Sequence, residues 1–351
     1  MPRVTLKDIA REAGVSVMTV SNVVNGNRGR VSPTTAAEVE RIVALRGYVP
    51  NASAQSLAAG RTRLVGLLVP AGTDDDDLLV SPHDVSVMGA VETALRRRDH
   101  HLMLRGVADA RDVLDSVQRW NLDGVVVMGF TDDALDDLAL PDDLPTVVID
   151  AYSPGVHGPA APARTRTVRT DDHEGGRLAA EHLLALGHTD VVFCGPTLTA
   201  SHVVEQRLAG FRSAFAAHDV AWSPASIVPS WTTYADGLSA GARIAHEHPT
   251  ATAVFATADV LAAGLVRGLA QHGVDVPGRV SVVGFDDAEI AQQVTPALTT
   301  VRQDTRRKGV RAAELLLDLV DAGAGAGGDD RGDADLIGVE LVVRASTAPP
   351  P

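Results

Sequence analysis

Residues 16–25 read Ser-Val-Met-Thr-Val-Ser-Asn-Val-Val-Asn. On a helix, Val20, Val23 and Val24 face inward, and Val17, Met18, Ser21, Asn22 and Asn25 face outward. Short hydroxyl and carboxamide side chains donate to phosphate oxygens and reach base edges, and Asn pairs bidentately with adenine. The charge around this row suits a polyanion. Residues 1–63 hold nine Lys and Arg against four acids, a net +5, while the rest of the chain carries −19. A plain three-helix bundle would explain the valines, but not an outward polar row inside a basic segment.

Other chemistry is excluded more simply. There is no G-x-S-x-G, no phosphate-binding Gly-rich loop with Lys, and no His/Cys/Glu metal spacing, so neither an enzyme nor a metal or cofactor site is expected. The single cysteine, Cys194, lies in the apolar run Val191–Cys194 and reads as a small buried hydrophobe. His100, His101, His246 and His248 lie in polar segments and are expected at the surface. Met1–Asp8 has no apolar stretch of the secretory type, and no run approaches the roughly 20 residues of a membrane span, which points to a cytoplasmic protein with no membrane partner.

The elements that must position the polar row follow from local signals. Thr5 is an N-cap with Asp8 at capping-box spacing; Leu6, Ile9, Ala10 and Ala13 share a face, and Gly14 ends the helix. Ser16 caps a second helix to Val24, and Ser32-Pro33 opens a third that ends near Arg46-Gly47. Two short helices around a Gly-containing turn make a helix-turn-helix. Residues 50–60 read as a short Ala-rich helix or a flexible linker. From Leu64 onward, apolar runs at 64–69, 125–128, 147–149, 191–194, 253–255 and 280–283 alternate with helical stretches at 85–97, 175–186, 207–217, 237–247 and 260–272. That alternation implies doubly wound α/β layers, with a ligand cleft at the carboxyl ends of parallel strands. At 351 residues and 45% hydrophobic content but 3% aromatics, the chain supports two or three domains with cores of Val, Leu, Ile and Ala. Residues 322–330, Ala- and Gly-rich, read as a flexible excursion.

The run from Val4 through Ser16, with Thr19-Val20-Ser21 and Val24-Asn25, resembles the headpiece of the lactose-repressor (LacI/GalR) family. Residues 175–183, 207–211, 276–287, 296–303 and 344–347 extend the resemblance over nearly the whole chain. It implies an all-α helix-turn-helix headpiece at 1–49 and a hinge helix or linker at 50–62. It also implies a periplasmic-binding-protein-like effector and dimerisation domain at 63–351, built of two doubly wound parallel-sheet lobes. One lobe is expected over about 63–165 and 296–330, the other over about 166–295 and 331–351, with crossovers near 165, 295 and 330. The implied partners are double-stranded operator DNA, a small effector, most often a carbohydrate, and a second copy in a homodimer or higher oligomer. Base-reading positions fall on Val17, Met18 and Asn22, with Thr5, Leu6, Ser16, Thr19, Ser21, Asn25, Arg30, Tyr48, Asn51 and Ala54 also expected at the DNA. Leu57 takes the place of a leucine that wedges into the minor groove.

The resemblance assigns effector contacts to Asp150, Arg207, Trp231 and Asp286. Carboxylates and a guanidinium suit sugar hydroxyls, and an indole face packs on the C–H side of a ring. Asp150 could instead cap a loop, Arg207 could pair internally, and Trp231 could be core. This chain departs from the family in three places. Ala258 replaces a common Asn; Ser81-Pro82-His83-Asp84 replaces an aromatic segment, so that His83 and Asp84 are candidates to face the cleft; and Asp74–Asp77 forms an acidic run, read as a solvated loop or a cation site. A solute-binding transport protein could use the same body, but not the attached headpiece.

Overall fold

The computed structural model describes residues 4–48, 61–71, 81–138, 140–153, 163–197, 202–323 and 334–351. The chain divides into two compact units, Met1–Arg63 and Leu64–Pro351. The expected hinge contacts Asn51, Ala54 and Leu57, the acidic run Asp74–Asp77 and most of the Ala/Gly-rich segment lie outside the described residues.

In the first unit, helices Leu6–Ala13, Val17–Val24 and Pro33–Arg46 begin and end at the residues whose chemistry asks for it. Thr5 and Asp8 form a reciprocal capping box, Ser16 accepts from the Thr19 amide, and Ser32 accepts from the Thr35 amide ahead of Pro33. Gly14 and Gly47 close helices with φ of 66° and 57°, a region costly for residues with a Cβ. Ile9, Val20, Val39 and Ile42 are fully buried between the three helices.

The second unit holds two six-stranded sheets. The first comprises β1 (Leu64–Pro70), β2 (His101–Val107), β3 (Gly124–Val127), β4 (Thr146–Ile149), β5 (Thr165–Thr170) and β11 (Asp335–Ile337), ordered β11-β5-β4-β3-β1-β2 and parallel throughout. The second comprises β6 (Val191–Gly195), β7 (Ile227–Pro229), β8 (Ala253–Ala256), β9 (Ser281–Asp286), β10 (Thr299–Gln303) and β12 (Val339–Val342), ordered β12-β10-β9-β8-β6-β7. Only β12 runs antiparallel, against β10. Helices cover both faces of each sheet, giving the two lobes of a doubly wound α/β domain.

The crossovers fall later than the sequence suggests. β5 stays in the first sheet up to Thr170, β10 belongs to the second sheet up to Gln303, and β11 and β12 part at Gly338. Thus 165–170 and 335–337 belong to the first lobe, and 299–303 to the second. β5 (Thr-Arg-Thr-Val-Arg-Thr) and β10 (Thr-Thr-Val-Arg-Gln) carry too many polar side chains to register as apolar runs. Each nonetheless fills its hydrogen-bond ladder before the chain leaves the sheet.

Helices Asp172–Ala185 and His202–Ala217 cross at backbone contact. A Cβ on Gly176 would lie 1.8 Å from the Arg207 carbonyl oxygen, and one on Gly210 would lie 1.7 Å from the His173 carbonyl oxygen. Gly210→Ala is therefore expected to lower stability by about 1–3 kcal/mol through overpacking. Gly338→Ala, whose Cβ would meet nothing within 4 Å, should stay within about 0.5 kcal/mol of the parent. Urea unfolding of the full chain, followed by near-UV circular dichroism, checks both; equal midpoints for the two variants would contradict the close crossing.

Candidate nucleic-acid interface and ligand cleft

The first unit presents a surface whose charges are mostly paired internally. Arg11 meets Asp8 at 3.4 Å, Arg41 meets Glu38 at 2.7 Å and Arg46 meets Glu12 at 2.7 Å. Lys7 and Arg30 are exposed and make no ion pair among the described residues, so the surplus positive charge is available there. On helix Val17–Val24, Met18 is 70% exposed and Val17 is 40% exposed. Asn22 is half-buried, and its carboxamide has no hydrogen-bond partner among the described residues. Ser21 is half-buried too, and accepts from Asn25 at 3.2 Å.

Several neighbours are already engaged. The Thr5 hydroxyl donates to Asp8 at 2.6 Å, and Ser16 and Thr19 share a 2.9 Å hydroxyl contact. Leu6 and Tyr48 pack against the core rather than standing clear of it. The surface thus separates into Val17, Met18 and Asn22 with reach outward, and capping groups whose hydroxyl oxygens accept from the amides of the helix starts.

In the second unit, His83, Asp150, Arg207, Trp231 and Asp286 all line one cavity of about 310 Å³ between the lobes. Most walls come from the carboxyl ends of strands and the segments after them, Met128–Thr131 and Asp150 in the first sheet and Trp231, Thr257 and Asp286 in the second, while His83 and Asp84 sit at a helix start and Arg207 inside helix His202–Ala217. A larger open groove of about 1120 Å³ runs along the crossovers and shares His83, Asp286 and Gln303 as a wall. Its lining includes Arg302, Arg306, Arg307, Glu289 and Glu340 alongside Pro82, Val85, Ala288, Ile337 and Val339.

The polar groups of the smaller cavity are tightly organised. Arg207 is 8% exposed; its Nε donates to Asp172 at 2.8 Å, its Nη1 to the Thr257 carbonyl at 2.6 Å, and its guanidinium lies 3.6 Å over the Phe285 ring. Nη2 has no partner among the described residues. Trp231 is 64% exposed, a platform and not a core residue. Asp150 and Asp286 hold φ of 55° and 117°, backbone strain of the kind that collects at functional sites. Both Asp150 oxygens accept from the Lys308 ammonium, at 2.6 and 2.9 Å, and Oδ1 also from the Thr170 amide at 3.2 Å, so much of this carboxylate's accepting capacity is used within the protein. One Asp286 oxygen accepts from Gln303 at 2.5 Å, and the other has no partner among the described residues.

Burial and neighbours divide these carboxyls. Burial pushes Asp150 up, but the Lys308 ammonium beside it holds it below the ordinary carboxylate range. Burial raises Asp286 and Asp172, with Arg207 opposing in both cases. Asp259, fully buried, is raised furthest, by burial and then by Asp286.

Sequence reading missed Lys308, Gln303, Asp172, Tyr152 and Thr257. The Tyr152 hydroxyl donates to Asp172 at 2.8 Å, and the Thr257 hydroxyl is buried with no partner among the described residues. Only Lys308 left a trace: it and Lys7 are the only lysines in a chain that otherwise uses arginine.

Comparison with known proteins agrees over both units. A family model described as bacterial regulatory proteins, lacI family, matches residues 5–51, and a periplasmic binding protein-like domain matches residues 180–347. The HTH-type transcriptional repressor PurR of Vibrio campbellii is 33% identical over 322 residues, covering 90% of this chain and 92% of that protein. The Lac repressor dimer bound to operator and the anti-inducer ONPF superposes with a TM-score of 0.82 at 25% identity, over 99% of both chains. The transcriptional regulator CelR in complex with cellobiose gives 0.69 at 27% identity, over 98% of this chain and 100% of that one.

Asp259 yields a pH test. It accepts from the Ala288 amide at 2.8 Å and the Thr300 hydroxyl at 2.6 Å. Its folded pKa lies above the unfolded one, so its neutral form stabilises fully below the unfolded pKa, and that contribution is lost as pH rises through the folded value. Asp259→Asn should gain stability relative to the parent as pH rises from about 4 to 7. Urea midpoints at several pH values check this; a difference independent of pH would show that Asp259 folds ionised.

Proposed function

The chain belongs to the lacI family of bacterial regulatory proteins, and we propose that it is a cytoplasmic transcriptional repressor. In this reading a homodimer binds a near-palindromic operator, and its affinity is set by a small polyhydroxyl effector, a sugar or sugar derivative, held between the lobes. The carrying observation is the outward face of helix Val17–Val24, where exposed Met18 stands beside an Asn22 carboxamide with no hydrogen-bond partner among the described residues, on a unit of net positive charge. Val17, Met18 and Asn22 read bases, while Lys7, Arg30, Ser21 and Asn25 meet phosphates. Thr5, Ser16 and Thr19 contribute chiefly by fixing helix starts, and the hinge over 50–62 forms on DNA with Leu57 as its wedge.

The sugar reading has three supports. Two hydrogen-bonding groups of the cavity without a partner among the described residues, Arg207 Nη2 and one Asp286 oxygen, suit hydroxyls. Exposed Trp231 offers an apolar face beside them. A full-length structural relative was solved with cellobiose. Selection of operators from random duplex DNA, followed by competition with a panel of sugars, tests both halves. Failure to enrich any sequence would remove the repressor reading; enrichment with no sugar response would remove only the effector class.

Two variants separate readout from attraction. Asn22→Ala should cost about 1–3 kcal/mol on the selected operator and relax preference at one base pair. Lys7→Ala should weaken all sequences similarly and reduce the slope of log K against log salt by about 1. Fluorescence anisotropy at several salt concentrations distinguishes them, and an Asn22→Ala protein with unchanged base preference would refute its role.

A further inference from the structure

Lys308 is fully buried, on the first turn of helix Thr305–Ala322 just beyond a crossover. Its ammonium has three protons to place and finds Asp150 at 2.6 and 2.9 Å, Gln303 Oε1 at 2.8 Å and His83 Nε2 at 3.2 Å. These contacts fix the orientation of two other groups. Gln303 Oε1 accepts from Lys308 and from the Thr170 hydroxyl at 2.7 Å, so its Nε2 is the end that donates to Asp286. His83 Nε2 lies 3.2 Å from the ammonium and Nδ1 3.1 Å from Asp84 Oδ1; a ring that accepts from Lys308 carries its proton on Nδ1 and donates it to Asp84.

We propose that Lys308 is a positioning residue for effector recognition: it withdraws Asp150 from the ligand-facing set and, through Gln303 and His83, orients Asp286 and Asp84 as the carboxylates that meet the effector. This rests on the reading of the cleft as the effector site. Asp286 closes the cavity from the second lobe and Asp84 from the first, so the ligand must offer hydrogen-bond donors, hydroxyl or amine, on two opposite sides. Asp150, the contact expected by resemblance, serves instead as the counter-ion of the buried lysine.

The test uses the full chain with 15N-labelled histidine, the His83 ring signals being assigned with His83→Gln. At pH 8 the ring shifts should report a proton on Nδ1; a proton on Nε2 would overturn the proposal, because Lys308 could not then donate to that atom. Lys308→Met combined with Asp150→Asn removes both buried charges at similar volume. If the double variant folds, the His83 proton should spread over both nitrogens, and affinity for whichever of glucose, ribose or cellobiose binds the parent should fall at least ten-fold. A folded double variant that keeps the parent tautomer and sugar affinity would make Lys308 merely structural. If no sugar binds the parent, the sugar reading falls while the tautomer still decides the proposal. If the double variant does not fold, the parent tautomer alone decides it.

Discussion

Arg207 brings a full positive charge into the protein interior, only 8% exposed, and the surrounding structure has to answer it. Removing an ion from water costs several kcal/mol even after relaxation, so a single hydrogen bond would not suffice. Asp172 supplies a carboxylate, Thr257 a carbonyl and Phe285 an aromatic face. Asp172 is itself the first residue of a helix, where the backbone dipole favours negative charge, and Tyr152 reaches across from the other lobe to its second oxygen. The approach is possible only because Gly176 and Gly210 let two helices touch backbone to backbone. Removing one member of such a pair typically costs about 3–5 kcal/mol, because the other is left charged and buried. The cleft therefore cannot be retuned at Arg207 without disturbing the packing that seats it. Variation in ligand preference is easier at Trp231 or Asp84, which are not bound into that pair.

Charge is arranged with the same division. The headpiece stretch carries +5 and the rest of the chain −19. An acidic body next to a polyanion contributes repulsion rather than affinity, so attraction must come from the few cations of the first unit that its own acids leave unpaired. Pairing Arg11, Arg41 and Arg46 internally narrows those to a small set that includes Lys7 and Arg30.

How much of this was legible depended on distance along the chain. Thr5, Gly14, Ser16, Ser32-Pro33 and Gly47 act on amides within a few residues of themselves, so the three helices could be placed closely from their caps. The apolar strands β1, β3, β4, β6, β8 and β9 were visible as runs, but β2 is an edge strand with exposed positions, and β5 and β10 are rich in Thr and Arg. Helix Thr305–Ala322 was missed as well, and with it Lys308. The contact between Lys308 and Asp150 spans 158 residues, and no local pattern announces it. The resemblance named four cleft residues, and a departure from it added His83; all five share one cavity, yet none of this could show that Lys308 already pairs with Asp150. That follows only from seeing which cation the fold delivers to it.

The lobes have separate apolar interiors: each buried hydrophobic cluster of the second unit draws on one lobe alone. Besides three chain crossings, they are tied by polar contacts, from Lys308 and Thr170 to Gln303, from Tyr152 to Asp172, and from His202 to Asp132. Hydrogen bonds of this kind are each worth about 0.5–1.5 kcal/mol net, more where a charge is involved. Shifting one lobe against the other thus costs a few such contacts and little apolar burial. A ligand that satisfies Asp286 and Arg207 in one lobe orientation and not in another has enough leverage to choose between them. A ligand indifferent to orientation would have none, however tightly it bound. In the proposed function, coupling through a few polar bridges amounts to about 1–3 kcal/mol, roughly 5- to 150-fold in affinity, and acts equally in both directions between effector and operator.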